Sequence, residues 1–168
     1  ITRVGKPMKK IMLLSAGGTI ACTETAQGLV PTLSAEEVMA YVPLPKDFCT
    51  LHAKTLFNLD SSNIQPEEWQ AIAAQVHQSL AEYDAVVVLH GTDTMAYTAS
   101  ILSFMLPGLT KPVILTGSQL PTVHPQTDAV KNLRDTLLAA VCAPAGVFIV
   151  FDGCIIRGVR AAKVRTTS

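Results

Sequence analysis

Two threonines stand where their hydroxyls could do chemistry. Thr19 lies in Gly17-Gly18-Thr19-Ile20-Ala21, after the apolar run Ile11-Met12-Leu13-Leu14. Thr92 lies in His90-Gly91-Thr92-Asp93-Thr94, after Ala85-Val86-Val87-Val88-Leu89. Each run reads as a buried strand, so each hydroxyl sits on a turn at a strand's C-terminal end. In open α/β sheets the crevice beyond those ends is where ligands bind. A threonine there becomes a nucleophile only if a neighbour takes its proton and the developing oxyanion is stabilised. Each segment also has a plainer explanation: a turn that needs glycine, with Thr19 as a cap, or with Asp93 or Thr94 capping the helix that follows. That explanation serves either segment alone and serves the pair poorly.

The elements that must position these residues follow from periodicity. Strands are predicted at Ile11 to Ser15, Thr50 to Phe57, Ala85 to His90, Pro112 to Thr116 and Gly146 to Phe151. Helices are predicted at Ala35 to Tyr41, Pro66 to Ala81, Met95 to Leu106 and Asp128 to Cys142. Ser34 with Glu37 reads as a capping box, and Pro66 suits a first helical position with Glu67 and Glu68 in the first turn. Trp69, Ile72, Ala73, Val76 and Leu80 repeat at helical spacing and read as a core face. Strands alternating with helices imply a mainly parallel, doubly wound α/β sheet with helices on both faces, a three-layer Rossmann-like or flavodoxin-like fold.

Composition fits that picture. In 168 residues, 49% are hydrophobic and 15% charged, enough for one domain with a sizeable core. The net charge is zero and no basic patch is interleaved with aromatics, which argues against a nucleic-acid partner. Nothing approaches the ~20 apolar residues of a membrane span. Met8-Lys9-Lys10 and Ala21-Cys22 imitate secretory signals, but the apolar stretch between them is short and broken by Gly-Gly. Cys22, Cys49, Cys142 and Cys154 are scattered singly and read as buried free thiols, which with the absent leader points to the cytoplasm. Residues 1–7 read as in part foreign to the domain. His52, His77, His90 and His124 are not at metal-ligand spacing; His90 reads as a packing or hydrogen-bonding residue and His77 as partly exposed on a helix. Asp128 and Asn132, one helical turn apart, read as organisers of a loop and a helix. No metal or cofactor is expected.

Taken together, Gly17-Gly18-Thr19-Ile20-Ala21 and the eleven residues His90 to Ser100, HGTDTMAYTAS, resemble the two signatures of the asparaginase family, in the branch of the bacterial type I L-asparaginases. Further matching pieces are Asp60-Ser61-Ser62, Thr116-Gly117-Ser118-Gln119 and Gly158-Val159-Arg160-Ala161-Ala162-Lys163. They occur in family order, so the resemblance runs from about Lys10 to Ser168.

The resemblance implies hydrolysis of the side-chain amide of L-asparagine to L-aspartate and ammonia, with L-glutamine as the other candidate substrate. Thr19 matches the acylating threonine. Thr92, Asp93 and Lys163 match a second catalytic cluster, in which a threonine hydrogen-bonded to lysine relays a proton or positions water; a lysine is a base only where its surroundings weaken its hold on the proton. Asp93 also matches the partner of the substrate's α-ammonium. Ser61, with Asp60 and Ser62 beside it, matches the grip on the α-carboxylate, and Ser118 is expected to touch the ligand, through side chain or backbone. The residues 60 to 63 also read as an ordinary cap-rich turn before Pro66. The family carries a second, smaller α/β domain and pairs subunits into dimers or tetramers. Here the written chain ends in the polar stretch Val164-Arg165-Thr166-Thr167-Ser168. The expectation is an N-terminal domain over residues 1–168, folded but poorly active by itself.

One position departs from the pattern. Where the family often has a tyrosine on a mobile loop near the nucleophile, this chain has Leu29, after Gln27-Gly28. Thr23 to Gln27 still read as a flexible polar loop. Two other functions compete with an asparaginase: a non-catalytic amino-acid-binding module, and the glutamine-hydrolysing subunit of a tRNA-dependent amidotransferase, whose extra N-terminal domain has no counterpart in the roughly nine residues before the first strand. A nucleotide-binding domain is disfavoured because neither GxGxxG nor GxxxxGK[ST] occurs.

Overall fold

The structure, a computed structural model, describes residues 8–164. The expectations for residues 1–7 and for the polar end Arg165 to Ser168 lie outside the described residues. In chain order the elements are β1 (Lys10–Gly17), β2 (Cys22–Thr25), β3 (Gly28–Pro31), α1 (Ala35–Ala40), β4 (Thr50–Leu59), α2 (Pro66–Leu80), β5 (Ala85–Leu89), α3 (Met95–Met105), β6 (Pro112–Thr116), α4 (Ala129–Cys142), β7 (Gly146–Phe151) and β8 (Cys154–Arg157). Short 3-10 turns cover Thr19–Ala21, Ser61–Asn63 and Gly158–Arg160.

The main sheet runs β4-β1-β5-β6-β7-β8, parallel throughout except for β8, which is antiparallel to β7. Its five parallel strands have the doubly wound flavodoxin-type order, and the direction of winding reverses between β1 and β5. The apolar runs are continuous because both faces of the sheet are covered. On one face Ile11, Leu13, Val87 and Leu89 pack with Ala35 and Val38 of α1 and Leu133 and Leu137 of α4. On the other, Leu14, Val86 and Val88 pack with Ile72 and Val76 of α2 and Ala99 and Leu102 of α3. The predicted caps form. Ser34 and Glu37 make a reciprocal capping box, Pro66 opens α2 with Glu67 and Glu68 in its first turn, and the Gln65 amide donates to Glu68.

Three local expectations are corrected. Thr23 to Gln27, expected as a polar loop, lie in a β-hairpin over Cys22 to Pro31, in which Thr23 pairs with Val30 and Glu24 with Leu29. The Thr23 and Thr32 hydroxyls are 2.7 Å apart, and the Thr25 hydroxyl donates to the Gly28 carbonyl. The hairpin escapes a reading by periodicity because residues 24 to 29 are exposed on both faces, so no apolar alternation marks it. The sheet also has a sixth strand, β8. Its turn is Asp152-Gly153, both at positive φ (49° and 75°), the two-residue hairpin that Asp-Gly between apolar runs signals directly. Finally, all four cysteines are free, but only Cys22 is buried; Cys49 is half-buried, and Cys142 and Cys154 are exposed.

The tightest packing occurs between turns. A methyl group at Gly18 would lie 2.4 Å from the Gly91 nitrogen, and one at Gly91 would lie 2.4 Å from the Ser61 hydroxyl oxygen. Gly28, also at positive φ, has open space around it. Gly18→Ala and Gly91→Ala should therefore each lower stability by at least about 1–3 kcal/mol, the range for overpacking. Gly28→Ala should cost only backbone strain, about 1 kcal/mol. Urea denaturation of the three variants checks the ranking.

Candidate active site

The site residues converge because four strand ends meet at one edge of the sheet. Gly17 closes β1 against the end of β4, where a methyl group would sit 2.4 Å from the Leu59 nitrogen. The Gly18 amide donates to the Leu59 carbonyl at 2.8 Å. That contact brings Asp60 and Ser61, which follow Leu59, beside the turn that carries Thr19. The Gly18–Gly91 approach brings the turn after β5, with Thr92 and Asp93, to the same place. Gly117, after β6, is held the same way: a methyl group there would lie 2.3 Å from the His90 carbonyl oxygen and 3.5 Å from a Thr92 methyl.

The Thr19 turn is pinned from several sides. The Ala21 amide and the buried Cys22 thiol both donate to the Gly18 carbonyl, at 3.0 and 3.4 Å. The buried Thr122 hydroxyl donates to the Ile20 carbonyl at 2.6 Å. Burial pushes the Cys22 thiol above its ordinary pKa, and the Asp60 charge pushes in the same direction. Thr19 itself is half-buried.

Around Thr92 the geometry is specific. The Lys163 ammonium donates to the Thr92 hydroxyl at 3.0 Å and to the Asp93 carboxylate at 2.5 Å. Lys163 is largely buried, with a side chain 21% exposed, whereas Asp93 is 59% exposed. Lys163 reaches the turn because the segment after β8 doubles back over α3. Gly158 allows this, since a methyl group there would be 3.0 Å from the Ala99 carbonyl oxygen and 3.1 Å from the Ser103 hydroxyl.

The other predicted residues are placed as follows. Asp60 caps the turn Ser61–Asn63, accepting from the Ser62 amide and hydroxyl at 3.0 and 2.8 Å. Asp60 and Ser62 are exposed, whereas Ser61 is 5% exposed, packed on Gly91, with its carbonyl accepting from the Thr94 hydroxyl. Ser118 is 1% exposed and its hydroxyl donates to the Leu120 carbonyl, so its proton is engaged within the turn. Neither Asp93 nor Thr94 caps α3 through its side chain: Thr94 holds the N-cap position without such a bond. Asp128 accepts from the Gln119 and Leu120 amides, while Asn132 donates to the Gly117 carbonyl and accepts from the Asp152 amide. This pair shapes the turn after β6. His90 is buried, with Nδ1 2.8 Å from the Gly91 carbonyl and Nε2 2.8 Å from the Thr98 hydroxyl. Sequence reasoning does not find Thr94, Thr98 and Thr122 as site-organising residues. A lone hydroxyl in a helix or loop carries no signal until its partner in the fold is known. Among the described residues, no group of three or more His, Cys, Asp or Glu could hold a metal ion, and no helix is long and apolar enough to cross a membrane.

The fold and these residues define a class: a doubly wound α/β domain with two threonine-bearing turns at its switch point, one of them joined to a lysine and an aspartate. A profile described as "Asparaginase, N-terminal" matches residues 10–168, and the chain belongs to the asparaginase family. It is 42% identical over 163 residues to L-asparaginase 1 of Escherichia coli (strain K12), covering 92% of this chain and 47% of that protein. It is 39% identical over 170 residues to a subunit of the glutamyl-tRNA(Gln) amidotransferase of Thermococcus kodakarensis, covering 95% of this chain and 39% of that one. The solved structure of the thermostable L-asparaginase from Thermococcus kodakarensis superposes with a TM-score of 0.89 at 40% identity, over 95% of this chain and 49% of that chain. The chain thus spans about half the length of the asparaginases it matches.

Burial holds the His90 pKa below its ordinary 6.5, against a smaller upward pull from the Gly91 carbonyl. The unfolded chain therefore binds a proton near pH 6.5 that the folded chain refuses. The sign follows from linkage: stability is full above pH 6.5 and falls as the pH drops below it. Urea midpoints should be flat from pH 8 to 7 and lower at pH 5, and His90→Asn should reduce the slope between pH 7 and 5.

Proposed function

We propose that residues 1–168 form the nucleophile-bearing domain of an amidohydrolase that converts L-asparagine to L-aspartate and ammonia through an acyl-enzyme on Thr19. The observation that carries this reading is the Lys163–Thr92–Asp93 cluster, held against the Thr19 turn by the Gly18–Gly91 approach. A neutral threonine hydroxyl is a poor nucleophile, and it needs both a proton acceptor and a stabilised oxyanion.

In this scheme the Thr19 hydroxyl oxygen attacks the side-chain amide carbon while its proton is relayed through the Thr92 hydroxyl to the amide nitrogen, and the Lys163 ammonium holds Thr92 in place for the relay. The tetrahedral centre collapses, the carbon–nitrogen bond breaks, and the nitrogen leaves as ammonia with that proton. Water positioned by Thr92 then attacks the ester carbon, its proton passes to the departing Thr19 oxygen, and L-aspartate is released with Thr19 restored. Asp93 fits the α-ammonium because it is the accessible carboxylate of the cluster, and the turn Asp60-Ser61-Ser62 fits the α-carboxylate. The exposed hairpin β2–β3, with Leu29 53% exposed, flanks the Thr19 turn. A residue from a neighbouring subunit or from a further domain would then serve where relatives use a tyrosine. Assembly into dimers or tetramers and a cytoplasmic location belong to the same proposal; the four free cysteines suit a reducing compartment.

A second reading rests on the relationship to the amidotransferase subunit. It replaces asparagine with glutamine at the same threonine. One methylene changes binding by only about 1–3 kcal/mol, so the two substrates share most of the site. Ammonia release measured side by side on the two amino acids separates them.

Two variants test the roles. Thr19→Ala should reduce turnover by about a thousandfold or more while leaving calorimetric binding of L-aspartate within about threefold. Near-normal ammonia release would contradict the nucleophile assignment. Asp93→Asn removes the charge but keeps the shape, and should weaken L-aspartate binding by about tenfold to a hundredfold with little change in melting temperature. Unchanged binding would remove Asp93 from substrate recognition.

A further inference from the structure

Behind the Thr92 turn lies a buried polar chain that the proposed chemistry does not itself use. Trp69 of α2 donates its indole N–H to the Thr98 hydroxyl of α3 at 2.8 Å. The Thr98 hydroxyl meets His90 Nε2 at 2.8 Å, and His90 Nδ1 meets the Gly91 carbonyl at 2.8 Å. Thr98 is 0% and His90 1% exposed, so water cannot replace a missing partner. The direction of every bond is fixed by chemistry. A carbonyl only accepts, so His90 Nδ1 carries the hydrogen. A neutral ring then leaves Nε2 as an acceptor, so Thr98 donates to it. The indole N–H only donates, and it fills the acceptor site of Thr98. The chain closes with no conflict, in one tautomer.

The Gly91 carbonyl at its end belongs to the same planar peptide as the Thr92 amide. Fixing that carbonyl fixes the plane from which Thr92 projects. The other constraint on this plane is steric, the packing of Gly91 against Gly18 and Ser61. The hydrogen-bonded chain reaches this plane from α2 and α3.

We propose that His90, set as the Nδ1–H tautomer by Thr98 and Trp69, is a positioning residue that aims the Thr92 hydroxyl at Lys163. This rests on the amidohydrolase reading for its catalytic consequence but not for its structural one. Thr98→Val keeps the shape of the side chain while removing both the donor to His90 and the acceptor for Trp69. Thr98→Ser restores both.

The test is nuclear magnetic resonance on the 168-residue chain, labelled with nitrogen-15, for wild type, Thr98→Val and Thr98→Ser. The wild type should show His90 as a single neutral Nδ1–H tautomer. In Thr98→Val the His90 ring nitrogens, the Thr92 amide and the Lys163 ammonium should all shift, and Thr98→Ser should return them. A wild-type Nε2–H tautomer, or shifts in Thr98→Val confined to α3 and its immediate packing neighbours, would overturn the proposal. Ammonia release, measured with the C-terminal half of a family member added, supplies the second arm. Thr98→Val should lower kcat about tenfold, the size one lost hydrogen bond can carry, with KM within about twofold and recovery in Thr98→Ser. An unchanged kcat in Thr98→Val would overturn the positioning role. A wild type that releases no ammonia from either amino acid, even with the C-terminal half of a family member added, would instead overturn the amidohydrolase reading, and the resonance arm would still decide the role of His90.

Discussion

The site depends on one constraint: the main chain at the ends of neighbouring strands must approach closer than any side chain allows. Gly17 lies on Leu59, Gly18 on Gly91, Gly91 on Ser61, and Gly117 on the His90 carbonyl. Gly17 and Gly18 also adopt positive φ, at 94° and 84°. Each contact excludes even a methyl group, and together they draw four turns into one cluster. The hydroxyls, carboxylates and ammonium of the site come to proximity because the backbone that carries them has been packed first. Proximity of that kind supplies much of what an enzyme contributes to a reaction between weak groups.

The rest of the fold supports this cluster from behind. The central parallel strands β5 and β6, buried along their whole length, give rigid supports. The strand order places the reversal of winding between β1 and β5, where the two threonines stand. Lys163 arrives last in the chain, by way of the Asp152-Gly153 turn, β8 and the Gly158 contact with α3. A site built from chain segments so far apart in sequence requires the whole sheet to be assembled before Lys163 can meet Thr92.

Much of this is legible in the sequence, for identifiable reasons. Four of the parallel strands announce themselves because they are nearly unbroken apolar runs, and the helices carry caps such as Ser34–Glu37 and Pro66. The two threonine turns are legible because both follow buried apolar runs in one chain, a combination that turn and capping roles explain poorly. What escapes has physical causes as well. The hairpin Cys22 to Pro31 is exposed on both faces and so leaves no periodic trace. Strand β8 is short, and its Asp-Gly signal competes with the motif just beyond it. The Trp69–Thr98–His90 chain cannot be read from sequence, because which hydroxyl meets which ring is settled only by the packing of α2 on α3. The burial of Ser118 and Ser61 belongs to the same category, since a serine in a turn has no periodicity that says whether it faces in or out.

The central claim is that Thr19, not Thr92, bonds to substrate. It is tested most directly by rapid acid quench during turnover of L-asparagine, followed by proteolysis and peptide mass spectrometry. The account predicts a mass increase of one aspartyl residue on the peptide that contains Thr19 and none on the peptide that contains Thr92. An adduct on Thr92, or steady ammonia release with no adduct on Thr19, would contradict it.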